Sequence, residues 1–266
     1  MYLLIWTILS VGSTLYIFTS KRYLKGTPEL QRKYDGFYRT DVDQWNLLQF
    51  SVIMFFTAIP RMLILWATVL SYVLFVNLIS IGSDGKAFEK RTTWRGYLCY
   101  LAAMTLAKVL FLTSGVWKVV NINKQVCYKK YLGPDWKPTF DGAGLSISNH
   151  QSWIDVLVIG QKHFSSYVAK ADVDKVPIFS QGARSICCLF VNRGGTPEEK
   201  QKVLQQIKER QEISEKGLLP ILHVYPEGCT TNGAVIIKFK KGAFAALRPI
   251  KPVVINYSNS GRLSCA

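Results

Sequence analysis

The stretch LSISNHQSWIDVLVIGQK, residues 145–162, decides the fold. A short apolar run, Leu145–Ser148, reads as a strand. A polar turn follows, and then a helical stretch, Trp153–Lys162. Outward from this unit the same alternation continues. Candidate strands are Ser166–Ala169, Ile186–Asn192, Ile221–Tyr225 and Pro252–Tyr257, and a second helix covers Pro197–Lys216. That helix is punctuated at both ends. Thr196 is the N-cap, Pro197 takes the first helical position, Glu198 and Glu199 oppose the positive end of the dipole, and Gly217 stops it. Alternating strands and helices predict an α/β fold, a mixed sheet flanked by helices, over residues 121–266.

The opening stretch also carries chemistry. His150 precedes Asp155 by five positions. On one continuous helix the two side chains would point ~140° apart, at ~100° per residue. With His150 on the turn and Asp155 in the first helical turn, they can meet. Asp155 then accepts the Nδ1 proton of His150 and leaves Nε2 as a base. The spacing alone equally allows Asn149 as an N-cap, beside a surface histidine and a solvated aspartate. Two further polar segments follow strands. FVNRGG, residues 190–195, puts Arg193 and two glycines after a strand, as an anion site or as an ordinary turn. YPEGCTTNG, residues 225–233, offers Glu227, a turn glycine at Gly228 and short donors at Thr230, Thr231 and Asn232. The same pattern fits a plain polar loop.

Upstream the character changes. Residues 1–20 carry no charged side chain, and the basic residues Lys21, Arg22 and Lys25 come after them. A helix of this length spans roughly 30 Å, the thickness of the hydrocarbon. The order of charge fits a retained anchor with a cytosolic C-terminal flank better than a cleaved signal, whose basic residues come first. The next apolar run, residues 46–82, would reach roughly 55 Å as one straight helix, too long for a single crossing. Pro60-Arg61 interrupts it. Two arrangements fit: a membrane hairpin turning near Pro60, or a spanning helix over 62–82 preceded by an interfacial segment. Residues 97–120, with Lys108 and Lys118, read as an interfacial helix.

Composition bounds the partners. Lys+Arg number 33 against 17 Asp+Glu, a net charge of +16, yet 49% of residues are hydrophobic. That excludes a disordered polyelectrolyte. Long apolar runs without aromatic RNA-stacking motifs disfavour a nucleic-acid binder. A basic, apolar chain suits an anionic membrane surface and anionic substrates. Six cysteines contain no Cys-x-x-Cys pair and the histidines number three, so no zinc-ligand pattern exists and no metal is expected. The cysteines read as free thiols of a reducing compartment. No Gly-x-Ser-x-Gly elbow occurs, which disfavours a serine hydrolase, and Cys229 lacks the partners of a nucleophile.

Taken together, SNHQSWID, FVNR, PEGCTTNG and PIKPVVI stand in the order of the four signature blocks of the membrane glycerolipid acyltransferases. The chain resembles that family over about residues 108–257, the first block being Asn-His-x4-Asp. The Pro60-Arg61 break and the segment EGCTTNG resemble its lysophosphatidylcholine and lysophosphatidylethanolamine acyltransferase branch. The resemblance implies transfer of an acyl group from acyl-CoA, a co-substrate, to the free hydroxyl of a lysophospholipid, with no cofactor. By that resemblance His150 is the general base and Asp155 its orienter. Lys170 and Arg193 contact the acceptor phosphate, Glu227, Gly228 and Thr230 shape the acceptor site, and Pro252 supports the pocket. Cys229 stands where the family often has Thr, which weakens hydrogen bonding at that position. Alternatives are a lysophosphatidic acid or glycerol-3-phosphate acyltransferase, or an inactive lipid-binding scaffold. The resemblance also implies an integral protein of the endoplasmic reticulum with its catalytic part in the cytosol, so that the sequon at Asn256 stays unmodified. The sequence stops at Ala266, soon after the fourth block, which fits a short member or a fragment; its oligomeric state is not legible.

Overall fold

The structure is a computed structural model that describes residues 2–39, 42–44, 46–81, 93–114, 119–122, 127–137, 142–162, 164–192 and 195–257. Helix α1 (Tyr2–Thr19) is followed by the short helices α2 (Lys21–Lys25) and α3 (Pro28–Lys33) and two 3-10 turns, Asp35–Phe37 and Val42–Gln44. Helix α4 (Leu47–Ile53), a π-helical segment (Met54–Ala58) and α5 (Ile59–Ser80) come next, then α6 (Trp94–Thr113) and the single turn α7 (Lys129–Leu132). The remainder is β1 (Leu145–Ser148), α8 (Ile154–Lys162), β2 (Ser165–Lys170), α9 (Ala171–Asp174), α10 (Pro177–Ser185), β3 (Leu189–Val191), α11 (Pro197–Glu215), β4 (Ile221–Val224) and β5 (Ile250–Val253).

The sheet has the order β3-β2-β4-β1-β5, and among the described residues all four ladders are parallel rather than mixed. Every strand is joined to the next by a crossover long enough to return to the same end, which is what parallel pairing requires. The α/β expectation holds with this refinement. Leu145, Ile147, Leu222 and Ile207 pack together under α11 on one face. On the other, Ile159 of α8 packs with Tyr167 and Ile255. From β1 the chain leaves through α8 on one face; from β4 it leaves toward α11 on the other, where Ala243 joins the core. Neighbouring strands whose connections depart to opposite faces leave a crevice at their carboxyl ends. Here those strands are β1 and β4.

The capping reading of α11 is exact in its chemistry. Thr196 Oγ1 accepts from Glu199 N at 3.4 Å, Glu199 returns a bond to Thr196 N at 2.9 Å, and Gly217 ends the helix at φ +70°.

The N-terminal part departs from the hairpin expectation at Pro60. Helical dihedrals continue without a turn residue from Leu47 to Ser80, through Ile53, Met54 and Ile59. In an α-helix a proline ring collides with the carbonyl four residues back, here Phe56, and a π turn, Met54–Ala58, spans that position. The segments that lie side by side are instead α5 and α6. Tyr72, Val76 and Cys99 share a core, and Arg95 Nη2 donates to Ile81 O at 3.2 Å where the end of α5 meets the start of α6. Both helices are long and apolar enough to cross a membrane, by length and composition. Helix α6 also joins the two parts of the molecule, because its Ala107 and Phe111 pack on Ile154 and Leu157 of α8.

Candidate active site

The crevice between β1 and β4 is built on a buried carboxylate. Asp155 sits in the first turn of α8 with no exposed surface. Its Oδ2 accepts from His150 Nδ1 at 2.8 Å, Gln151 N at 2.7 Å and Ser152 N at 3.0 Å. Its Oδ1 accepts from Tyr257 Oη at 2.6 Å. Burial alone would push this carboxyl up; the donors from His150, Ser152, Tyr257 and Gln151 outweigh it and hold the group below the ordinary carboxylate range. Tyr257 is pushed up in turn by burial and by the carboxylate it serves. With Nδ1–H given to Asp155, the His150 lone pair is on Nε2, which meets no protein partner among the described residues.

His150 is also held from behind. Its backbone N donates to Glu227 Oε1 at 2.7 Å, and its ring stacks on Tyr225 at 4.0 Å between centroids. Glu227 Oε2 accepts from Ile237 N at 3.2 Å, so this buried carboxylate ties the loop after β4 to the turn after β1. Thr231 N adds a bond to His150 O at 2.9 Å. Asn149 does not cap α8. It exchanges two bonds with Ile255, Nδ2 to O at 2.9 Å and Ile255 N to Oδ1 at 2.8 Å, and so fixes the end of β1 to the chain beyond β5. Capping falls to Ser152 Oγ, which accepts from Ile154 N at 3.3 Å.

The remaining sequence candidates are spread along the same edge. Gly228 turns at φ +77°, and a side chain there would collide with Lys240 Nζ, so the glycine admits that ammonium against the backbone. Thr230 and Cys229 are exposed. Lys170 ends β2, two strands from β1, is mostly exposed and pairs with Asp172 at 2.6 Å. Pro252 lies in β5 opposite Ile147. Arg193 lies outside the described residues, as does Ser258 of the sequon. Sequence reading missed Tyr225, Tyr257 and the Asn149 clasp. Only Tyr225 had a local signal, its place at the end of an apolar strand before Pro-Glu-Gly.

An apolar cleft of about 310 Å³ lies where α5 and α6 meet α8, β2 and α10, lined among others by Tyr72, Leu106, Ala107, Leu157 and Tyr167. Tyr167 also belongs to the cluster that contains Tyr225, and its hydroxyl donates to Val156 O at 2.8 Å. The cleft therefore adjoins the packing behind His150 on one side and the apolar helices on the other.

The fold is thus a parallel α/β sheet with a carboxylate-oriented histidine at its switch point, attached to helices long and apolar enough to cross a membrane. The acyltransferase family model matches residues 124–256, half of the chain, and the chain belongs to that family. It is 35% identical over 115 residues to Lysophospholipid acyltransferase LPEAT1 of Arabidopsis thaliana, covering 43% of this chain and 29% of that protein. It is 29% identical over 186 residues to Lysophosphatidylcholine acyltransferase 1 of Mus musculus, covering 70% and 32%. With the human protein of that name it shares 28% over 203 residues, covering 76% and 34%. The matched part spans about a third of the length of these relatives. No solved structure matches the chain.

Proposed function

We propose that the chain transfers an acyl group from acyl-CoA to the free glycerol hydroxyl of a lysophospholipid, with His150 as general base. The observation that carries this is the His150–Asp155 contact, with the carboxylate saturated by donors and Nε2 left open at the strand ends. An alcohol at neutral pH is a poor nucleophile. Nε2 takes its proton as the oxygen attacks the thioester carbonyl, and Asp155 stabilises the imidazolium that forms. The tetrahedral adduct collapses, the C–S bond breaks, and the imidazolium returns the proton to the departing CoA thiolate. No covalent acyl-enzyme is required. By the family resemblance Lys170 and Arg193 bring positive charge to the phosphate-bearing substrates, Lys170 from the end of β2. The apolar cleft beside α5 and α6 takes the acyl chain, at the level where the membrane helices meet the sheet.

The names of the relatives support a lysophospholipid acceptor. The basic residues flanking the apolar segments support a cytosolic face, and the family resemblance supports the endoplasmic reticulum. The test is transfer of labelled acyl groups from acyl-CoA in purified membranes, with a panel of lysolipids and glycerol-3-phosphate as acceptors. His150→Ala is expected to lose about 10²–10⁴-fold in rate at unchanged melting temperature. Turnover at the wild-type rate in that folded variant overturns the mechanism.

A further inference from the structure

Residues 255–257, beyond β5, lie along the catalytic turn as a strap. Three side chains of the first block hold it. Asn149 exchanges its two bonds with the backbone of Ile255, and Gln151 Nε2 donates to the same Ile255 O at 2.8 Å. Two residues further on, Tyr257 Oη donates to Asp155 Oδ1 at 2.6 Å. The ring of Tyr257 packs against two apolar clusters. One is formed by Ala107 and Phe111 of α6 with Ile154 and Leu157 of α8, the other by Ile159, Tyr167 and Ile255. Anchoring at Ile255 and packing of the ring set where the hydroxyl stands, independently of its bond to Asp155.

The two oxygens of Asp155 divide the work. Oδ2 takes His150 Nδ1, Gln151 N and Ser152 N, whereas among the described residues Oδ1 takes Tyr257 alone. We propose that Tyr257 is a positioning residue of the reaction, whose hydroxyl pins the oxygen that His150 does not use and so keeps the carboxylate aimed at Nδ1. The proposal rests on the general-base reading above and adds a third member to the His150–Asp155 pair. Without that donor, a fully buried carboxylate is left with one oxygen unpartnered. It relieves this by turning about its Cβ–Cγ bond or by taking up a proton. Either change disturbs the bond that selects the tautomer with its lone pair on Nε2. Tyr257 suits a fixed task. Burial and the carboxylate push it up, so it remains a donor wherever the histidine works as a base. The groups that face the Tyr257–Asp155 bond come from several elements. His150 lies on the turn after β1. Tyr225, after β4, has its hydroxyl in the field of Asp155 and Tyr257, and Glu227 beyond it is spent on His150 N and Ile237 N. Tyr167 of β2 is spent on Val156 O, and α6 packs here with Ala107, Leu110 and Phe111.

The experiment uses the full chain in membranes and compares wild type with Tyr257→Phe, which keeps the ring in both clusters and removes the hydroxyl. In acyl transfer, kcat per folded chain is expected to fall about tenfold, with KM for lysolipid and for acyl-CoA unchanged. The donor that favours the negative carboxylate is gone, so the His150–Asp155 pair binds a proton more readily. The acid limb of kcat is therefore expected to move to higher pH. A hydroxyl that serves stability alone would lower the melting temperature and leave kcat and the acid limb of the folded fraction in place; that result overturns the proposal. Should Tyr257→Phe fail to fold, 3-fluorotyrosine at the same position keeps ring and hydroxyl. Its more acidic hydroxyl is the stronger donor, so the limb moves to lower pH, and an unmoved limb overturns the proposal. A further readout does not depend on turnover. Diethyl pyrocarbonate acylates an unprotonated imidazole nitrogen, and peptide mass spectrometry reads His150 separately from the other histidines. The pH dependence of that modification should shift upward in Tyr257→Phe. Coincident curves overturn the proposal. A shifted curve in a chain that transfers no acyl group to any acceptor overturns the acyl-transfer reading and keeps the role of Tyr257.

Discussion

His150 and His223 both pack on Tyr225, with ring centroids 4.0 Å and 4.7 Å from it, and the protein treats them in opposite ways. His223 is fully buried in the middle of β4. Ser146 Oγ stands 2.7 Å from its Nδ1 and Ser148 Oγ 3.0 Å from its Nε2. Ser148 spends its one proton on Asn149 O at 2.9 Å, so it accepts from Nε2–H, and Ser146 donates to Nδ1. Both nitrogens are satisfied with the ring neutral, which makes this histidine a polar pin between β1 and β4. His150 has one nitrogen committed to a carboxylate and the other open. The difference teaches that residue type alone does not set what a histidine can do: one ring has both nitrogens occupied, and the other leaves a single lone pair without a protein partner among the described residues.

Three substitutions probe that contrast, beyond the loss expected from His150→Ala. The largest effect is expected from Asp155→Asn, which takes away the acceptor that fixes the Nδ1–H tautomer. The rate should fall about 10²–10⁴-fold with acceptor KM little changed. The same variant alters acid stability. The folded carboxyl binds its proton less readily than an unfolded one with the ordinary value of 3.8. Its stabilisation is therefore complete above that value and lost as pH falls through the lower folded value. Acid unfolding of Asp155→Asn, followed by circular dichroism, should show a shallower slope in that range; an unchanged slope would mean the carboxyl is not held in its charged form.

His223→Ala comes next. It leaves a cavity and two buried hydroxyls without their ring partner, at a cost of about 2–5 kcal/mol in denaturant unfolding. The folded fraction should keep a rate within about tenfold of wild type, because His223 touches no reacting atom. A loss as deep as that of His150→Ala, without loss of stability, would erase the distinction between the two histidines. The smallest effect belongs to Tyr225→Phe. The Tyr225 hydroxyl is buried with no hydrogen-bond partner in the described structure. Removing it keeps the stack on His150 and should raise stability by up to about 1 kcal/mol in thermal unfolding. Destabilisation would reveal a partner for that hydroxyl.

How much of this was legible depends on sequence distance. The unit 145–162 and the caps of α11 were readable because their signals lie within a few residues of one another. Even the His150–Asp155 contact needed only the guess that a turn intervenes. Pro60 misled for a local reason: a proline in an apolar run suggests a turn, but here a π segment lies just ahead of it and the helix runs on. The sheet was legible as α/β and not as wholly parallel, because strand order depends on crossovers rather than on composition. The partners that complete the site were not legible at all. Tyr257 reaches Asp155 across 102 residues, and His223 meets Ser146 across 77. Each is a plain polar residue in its own neighbourhood, and no short-range pattern distinguishes it.

The bonds of Asn232 to the first loop have a consequence in time. Asn232 Nδ2 donates to Asp35 O at 2.6 Å and so joins residues 197 apart, Asp35 near the beginning of the sequence and Asn232 toward its end. At ordinary elongation rates Asn232 is made roughly 10–40 s after Asp35. The first apolar helix, α5 and α6 are all made within that interval or before it, so they are complete before these bonds can form. Throughout that interval the first loop is without the strand-end loop that closes on it.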